Sequence, residues 1–177
     1  MLAKIEKTEL FNKTHNIENF SCGAFGIDNF LQKEALEENK KGKSITRVIK
    51  NIHDKIVGYY TINCSAVIDK SGGIIVYHPA IELKMFALHN DIRGEKYPQE
   101  GYEDFNYSYV MLWKVIEEIT NITETTIGAE YIILYSVPYA FDLYNNNGFS
   151  PFTKYMEKNE DDFVGECIPM YLKLHED

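Results

Sequence analysis

The sequence has few of the residues that mark secreted, zinc-binding or membrane-spanning proteins. Its three cysteines, Cys22, Cys64 and Cys167, are odd in number and far apart, which fits neither a disulfide framework nor a zinc-ligand spacing. No apolar run approaches the roughly 20 residues that span a bilayer. Residues 1–7 are too polar for a signal peptide. We therefore expect a cytoplasmic protein with reduced thiols and no membrane segment.

Basic residues are also scarce. The chain has 18 lysines and arginines against 27 acidic residues, for a formal net charge of −9 at pH 7. Such a charge repels a phosphate backbone, so nucleic acid is a disfavoured partner. One basic cluster, Lys40–Lys43 with Arg47 and Lys50, could overturn that expectation. The five histidines show no ligand spacing, and no metal is expected.

What the chain does contain is typical of one globular domain over residues 1–177. Hydrophobic residues make up 45% and charged residues 25%, enough apolar content for a substantial core. Apolar spacing predicts an amphipathic helix from Ile27 to Gly42 and a longer one over 105–123. Alternating or continuous apolar runs predict strands at 3–8, 45–49, 56–62, 81–88, 132–137, 151–155 and 168–174, with a short edge segment at 74–77 and an acidic loop at 157–162.

The most informative stretch is 132–149. A continuous apolar run indicates a strand buried on both faces, and Pro138 can begin a helix because the first turn does not need its missing N–H. Ala140 and Tyr144 follow at helical spacing, and Gly148 suits a left-handed cap. Strand, proline-started helix, Ala-x-x-Leu-Tyr and Gly-Phe together resemble the C-terminal half of the GNAT-superfamily N-acetyltransferases. An ordinary buried strand and capped helix, with Tyr144 as core, is the alternative.

Other motifs extend this resemblance over most of the chain. The pattern from Phe20 to Gly42 is similar to the opening of the GNAT branch that includes antitoxin-paired toxins, and Ile-Val-Gly-Tyr-Tyr-Thr at 56–61 is similar to its central hairpin. Gly58 within that strand also suggests a bulge or close backbone approach. The resemblance implies an α/β (α+β) fold with a mixed, mostly antiparallel sheet of six to seven strands and helices on both faces.

The resemblance also implies site residues. The tyrosine before Gly-Phe, here Tyr144, would face the sulfur of acetyl-CoA, and Ala140 of the same helix would contact the cofactor. The backbone around Phe86, Ala87 and Leu88 would hydrogen-bond the pantetheine arm. Glu82, five residues before Ala87, matches the catalytic glutamate of the histone-acetylating members. An exposed strand carboxylate paired with Lys84 or Arg47 is the alternative reading of Glu82.

The loop after this strand departs from the family pattern. GNAT proteins usually have a glycine-rich turn whose N–H groups cradle the pyrophosphate. This chain has only Gly94 in register, with carboxylates at Asp91 and Glu95, and 97–104 reads as an insertion. Arg93 and Lys96 could replace the missing amides with charge. Otherwise the cofactor site is impaired.

The chemistry of acetyl transfer fits these residue types. A protonated amine must lose a proton, which a carboxylate such as Glu82 can accept. The leaving thiolate needs a proton, which a tyrosine such as Tyr144 can donate, and a strand-end N–H such as that of Leu88 can stabilise the oxyanion. The prediction is an acetyl-CoA-dependent N-acetyltransferase acting on a primary amine of an unknown small-molecule or protein acceptor.

Two other functions stay open at this point. One is a non-catalytic binding or regulatory module with impaired coenzyme A binding. The other is a toxin that acetylates aminoacyl-tRNA, which the net charge of −9 disfavours. The sequence leaves the oligomeric state open, a homodimer included, and says nothing of an antitoxin partner.

Overall fold

A computed structural model describes residues 3–154, 156–157 and 166–175. Seven strands form the sheet path β1-β2-β3-β4-β5-β8-β6, and the two-residue β7 pairs with β3. Strands β4 and β5 run parallel, whereas the pairs β1–β2, β2–β3, β3–β7, β5–β8 and β6–β8 are antiparallel. The predicted mixed, mostly antiparallel sheet is therefore confirmed. The strands are Ile5–Leu10, Ile45–Asn51, Ile56–Asp69, Val76–Leu88, Tyr131–Ser136, Ser150–Pro151, Met156–Glu157 and Ile168–Lys173, numbered β1 to β8.

Four α-helices and several single turns connect these strands. The α-helices are α1 Phe25–Asn29, α2 Ala35–Lys41, α3 Tyr107–Thr125 and α4 Phe141–Asn145. A π-helical turn at Phe30–Glu34 joins α1 to α2, and 3₁₀ turns lie at Ser71–Gly73, Asn90–Ile92 and Pro138–Ala140. Within the described ranges, no helix has the length and apolar content needed to cross a bilayer.

The chain divides into two compact units. The first comprises Met1–Asn63 and Lys84–Val115, and the second comprises Cys64–Leu83 and Ile116–Asp177. The sequence predicted one domain over the whole chain, and that stays a prediction.

In the first unit, the predicted helix beginning near Ile27 is present as α1, the π turn and α2. Its apolar side contributes Phe30, Leu31 and Ala35, each 3% exposed or less, to a core cluster. Gly42 ends α2 in the left-handed region at φ 66°, where a residue with a Cβ would be strained. The other cluster members are Phe11, Phe20, Cys22, Val48, Tyr59 and Ala87.

In the second unit, β5 is the buried centre. Ile132 and Ile133 are fully buried, and Met170 of β8, also fully buried, lies opposite Leu134. A strand with apolar side chains on both faces must be covered on both, as the sequence predicted. By contrast, four consecutive apolar residues that lead into β4 and begin it are exposed: Ile74, Ile75, Val76 and Tyr77.

Several predicted strand bounds were wrong. Strand β3 continues past 62 to Asp69, and β4 joins the predicted edge segment at 74–77 and the strand at 81–88 into one element. Polar residues at Asn63 and Ser65 and the proline at Pro79 concealed this continuity. Pairing with neighbouring strands maintains the extended backbone there. At the other end of the chain, β6 covers only Ser150–Pro151. The predicted strand at 151–155 was therefore wrong beyond Pro151, while Tyr155 and most of the predicted acidic loop at 157–162 lie outside the described residues.

Candidate active site

The corner after β5 positions Tyr144. Val137 is the only residue between β5 and the 3₁₀ turn that begins at Pro138, and α4 follows that turn directly. The Phe149 N–H donates to the Tyr144 carbonyl at 3.1 Å, and Gly148 adopts φ 88°, which turns the chain back. The Tyr144 ring packs edge-on against Phe149 with centroids 5.8 Å apart. Contacts between residues close in sequence thus help to hold this ring in place.

The Tyr144 side chain is buried, at 8% exposure, and its hydroxyl makes no hydrogen bond to any residue of the described ranges. Burial raises the pKa of this phenol well above that of a free tyrosine, and the nearby Tyr139 phenol adds to the effect. The group therefore stays protonated at neutral pH. Its O–H is a donor with capacity for a ligand atom.

Glu82 lies on β4 in the second unit, where the parallel register pairs it with Ile133. It is 7% exposed, so the alternative reading of an exposed strand carboxylate was wrong. Lys84, proposed as its partner in that reading, forms an ion pair with Glu38 at 2.8 Å, and its amine lies 5.1 Å from the centre of the Phe30 ring.

At the end of β4, in the first unit, the peptide groups of successive residues face opposite edges of the strand. The Ala87 carbonyl faces Gly58 of β3, because a Cβ built on Gly58 would lie 2.7 Å from that oxygen. The His89 N–H donates to the Val57 carbonyl at 2.8 Å. Peptide groups alternate in direction along a strand, so those of Phe86 and Leu88 face the opposite edge.

That opposite edge is where the predicted cofactor contacts lie. The described pairing of β4 with β5 covers Ala80 to Glu82 only. Among the described residues, no strand partner pairs with Phe86 or Leu88 on that edge. Unpaired strand groups of this kind readily take an extended ligand. The close approach predicted at Gly58 is confirmed by the position of the Ala87 oxygen.

The two cations of the loop after β4 make different contacts. Arg93 is exposed, and its guanidinium lies beside Gly23, 3.4 Å from where a Cβ would be on that glycine. Gly94 has φ 84° and open space around it. The Lys96 ammonium, by contrast, donates to the Asp104 carbonyl at 2.7 Å. Lys96 therefore closes the loop on itself, whereas the Arg93 guanidinium lies beside Gly23.

His89 is held by backbone groups on both ring nitrogens. Its Nε2 lies 2.9 Å from the Asn19 carbonyl, and its Nδ1 accepts the Asp91 N–H at 3.1 Å. Both ring nitrogens are thus engaged by the backbone. No group of three or more His, Cys, Asp or Glu side chains placed to hold a metal ion is present in the described part of the chain.

The predicted site residues thus fall into two sets. Phe86, Ala87, Leu88, Arg93, Gly94 and Lys96 belong to the first unit, and Glu82, Ala140 and Tyr144 belong to the second. Sequence reasoning missed the contacts that hold the loop after β4: the Tyr97 hydroxyl accepts the Ile5 N–H at 2.9 Å, and the Tyr107 hydroxyl donates to the Ala3 carbonyl at 2.9 Å. No local pattern predicts partners so distant in the chain.

No family model matches the sequence. Solved structures do match over nearly the whole chain. A bacterial toxin superposes with a TM-score of 0.70 at 15% identity, covering 98% of this chain and 92% of that one. The fold is that of the GNAT-type toxin acetyltransferases. AtaT complexed with acetyl-methionyl-tRNAfMet matches this GNAT-like fold with a TM-score of 0.67 at 13% identity, covering 94% of each chain. A tyrosine-to-phenylalanine mutant of KacT matches it with 0.67 at 12% identity, covering 95% of this chain and 94% of that one.

Proposed function

We propose that this protein transfers the acetyl group of acetyl-CoA to a primary amine. The observation that carries the proposal is the end of β4, where the peptide groups of Phe86 and Leu88 face away from Gly58 and have no strand partner in the described pairings. The pantetheine arm of coenzyme A carries two amides with the spacing and polarity of a peptide. It can therefore continue that edge by strand-like hydrogen bonds.

The side chains supply proton transfers that balance. Glu82, directly or through water, takes a proton from the ammonium form of the acceptor. The neutral nitrogen attacks the thioester carbon, and the Leu88 N–H stabilises the oxygen that becomes negative. The C–S bond then breaks, Tyr144 gives its proton to the departing sulfur, and the phenolate regains one from the new amide nitrogen. Arg93 holds the pyrophosphate by charge.

A second candidate, acetylation of aminoacyl-tRNA, is favoured by the similarity to AtaT, which has been solved with acetyl-methionyl-tRNAfMet. The basic cluster that would bind RNA is weakened by ion pairs. Lys41 lies 3.2 Å from Glu37, and the Lys50 amine, 11% exposed, lies 3.0 Å from both Glu9 and Asp54. Few free charges remain for phosphates, so we prefer a small-molecule or protein amine as acceptor.

Calorimetric titration of the protein with coenzyme A and acetyl-CoA tests the proposal first. We expect saturable binding of both, because most of the contacts are to the pantetheine arm and pyrophosphate. Absence of heat and of any thermal shift at millimolar ligand would leave the non-catalytic module as the better account. Radiolabelled acetyl transfer to lysine peptides, polyamines and charged tRNA would then distinguish the two acceptors. Labelled tRNA with unlabelled amines would overturn our preference.

A further inference from the structure

The insertion after β4, within the first unit, has a defined conformation that hydrogen bonds hold. The Tyr97 N–H donates to the Phe105 carbonyl at 2.9 Å, and the Tyr107 N–H donates to the Glu95 carbonyl at 3.0 Å. Lys96 and Asn106 form an antiparallel bridge between these two bonds. The Tyr97 and Tyr107 hydroxyls tie the same segment to Ile5 and Ala3. Its conformation is therefore set before any ligand binds.

This segment places a group of rings at the beginning of α3, which we term the aromatic face: Tyr102, Phe105, Tyr109 and Trp113. The Phe105 and Trp113 rings pack edge to face with centroids 4.7 Å apart, and Tyr102 and Tyr109 lie within 6.4 Å of Trp113. Tyr102 and Phe105 are each 37% exposed, although rings of this size usually bury more of their surface. No step of the proposed reaction uses these rings.

Carboxylates surround the aromatic face in the sequence of the same segment. Between residues 95 and 104 the chain has four acidic side chains and one basic one, and all four carboxylates are exposed: Glu95, Glu100, Glu103 and Asp104. The one cation, Lys96, already donates to a carbonyl of the segment. The surface is thus both aromatic and negatively charged. Phosphate chains would be repelled by it, whereas guanidinium and ammonium groups would be attracted by both the carboxylates and the ring faces.

We propose that the aromatic face and its carboxylates form a docking surface for a basic peptide segment of a partner protein. Arginines of that segment would stack on the exposed faces of Tyr102 and Phe105 and pair with Glu100 and Glu103. Intervening apolar residues would cover the edges of Trp113. None of the rings of the aromatic face, nor Glu100 or Glu103, is assigned a role in acetyl transfer, so the proposal stands whether or not the enzyme activity is found.

The chain offers a direct probe, because Trp113 is its only tryptophan. We would titrate the full-length protein with a 12-residue peptide of alternating arginine and leucine and follow the tryptophan emission. A peptide with glutamate in place of arginine and a 12-nucleotide single strand serve as comparison ligands. We expect a saturable emission change with the arginine peptide only, weakened as salt is raised because the pairs are exposed.

Matched variants separate docking from general attraction to an acidic protein. Glu100→Gln with Glu103→Gln should weaken the arginine peptide at least tenfold and leave the rings unchanged. Glu117→Gln with Glu124→Gln removes the same charge at two other exposed positions and should have little effect. Tyr102→Ala with Phe105→Ala should abolish the emission change, whereas Phe25→Ala, at an 85% exposed position, should preserve it. Circular dichroism checks that each variant folds.

Equal weakening by the two glutamine pairs would overturn the proposal, because the peptide would then be responding to net charge. So would equal binding of the glutamate peptide, or tighter binding of the oligonucleotide. An emission change that depends on protein concentration without any peptide would assign the surface to a second copy of this chain instead.

Discussion

The chain leaves β4 and β5 in two different ways. After β5, one residue precedes a proline-started turn, and a buried tyrosine follows within the next helix. After β4, 18 residues separate the strand from α3, and the loop is closed by bonds to Ala3 and Ile5 at the other end of the chain. The first connection is held by neighbours in sequence and the second by distant contacts. A substitution after β5 should therefore disturb mainly residues close to it in sequence, whereas one after β4 should also disturb residues far away in the chain.

The largest expected effect is on the β4 side. Arg93→Ala with Lys96→Ala should weaken coenzyme A by about 2–4 kcal/mol, the scale of losing two charge-assisted contacts. Because the Lys96 amine already donates to the Asp104 carbonyl, we expect the two single variants to have different effects. Calorimetry on the single variants should assign most of the affinity loss to Arg93→Ala, while Lys96→Ala should lower the free energy of unfolding. Unchanged affinity in the double variant would mean that this loop does not hold the pyrophosphate.

Next is the tyrosine after β5. Tyr144→Phe should lower the turnover number for acetyl transfer by about 10²-fold, the scale of a lost general acid, and leave coenzyme A affinity and stability nearly unchanged. Tyr139→Phe is the matched control, because that ring lies five residues earlier and is 77% exposed. Equal rates for the parent and the Tyr144 variant, measured by thiol release, would reduce Tyr144 to a packing residue.

A third prediction concerns the strand edge that carries the cofactor contacts. Gly58→Ala would bring a Cβ within 2.7 Å of the Ala87 oxygen and against the Met111 side chain. We expect a loss of about 1–3 kcal/mol in unfolding free energy from overpacking, with weaker coenzyme A binding because the end of β4 moves. Gly26→Ala, which meets nothing within 4 Å, should be neutral or stabilising by about 0.4–1 kcal/mol. Urea denaturation of both variants measures the contrast.

The smallest effect should come from Pro138→Ala. Alanine accepts the same backbone conformation at this exposed position, so the loss should be only about 0.4–1 kcal/mol from greater freedom of the unfolded chain. Turnover should be retained, because bonds after Pro138, such as that from Phe149 to Tyr144, still hold the corner. A large loss of activity measured alongside normal stability would show that the bonds after Pro138 do not by themselves hold the β5 corner in its active conformation.

Sequence reasoning predicted the β5 side of this comparison well and the β4 side poorly. Pro138, the helical spacing to Tyr144 and Gly148 are signals that act within a few residues, and each has the conformation expected. The extension of β3 beyond Asn63 depends on strand pairing, which no local period encodes. The bond from Tyr97 to Ile5 joins residues 92 positions apart. The roles of Glu82 and Tyr144 stay predictions, because they require a ligand to test them.

The exposed run Ile74–Tyr77, which leads into β4, affects the tendency of the purified protein to aggregate. β-branched and aromatic residues in a short extended segment favour intermolecular strand association, and a net charge of −9 opposes it. Protonation of the carboxylates in mildly acidic buffer removes that repulsion. We therefore expect the turbidity of the protein solution to rise on acidification before the protein unfolds. Ile75→Lys should suppress this rise. If the variant becomes as turbid as the parent, this segment is not the cause.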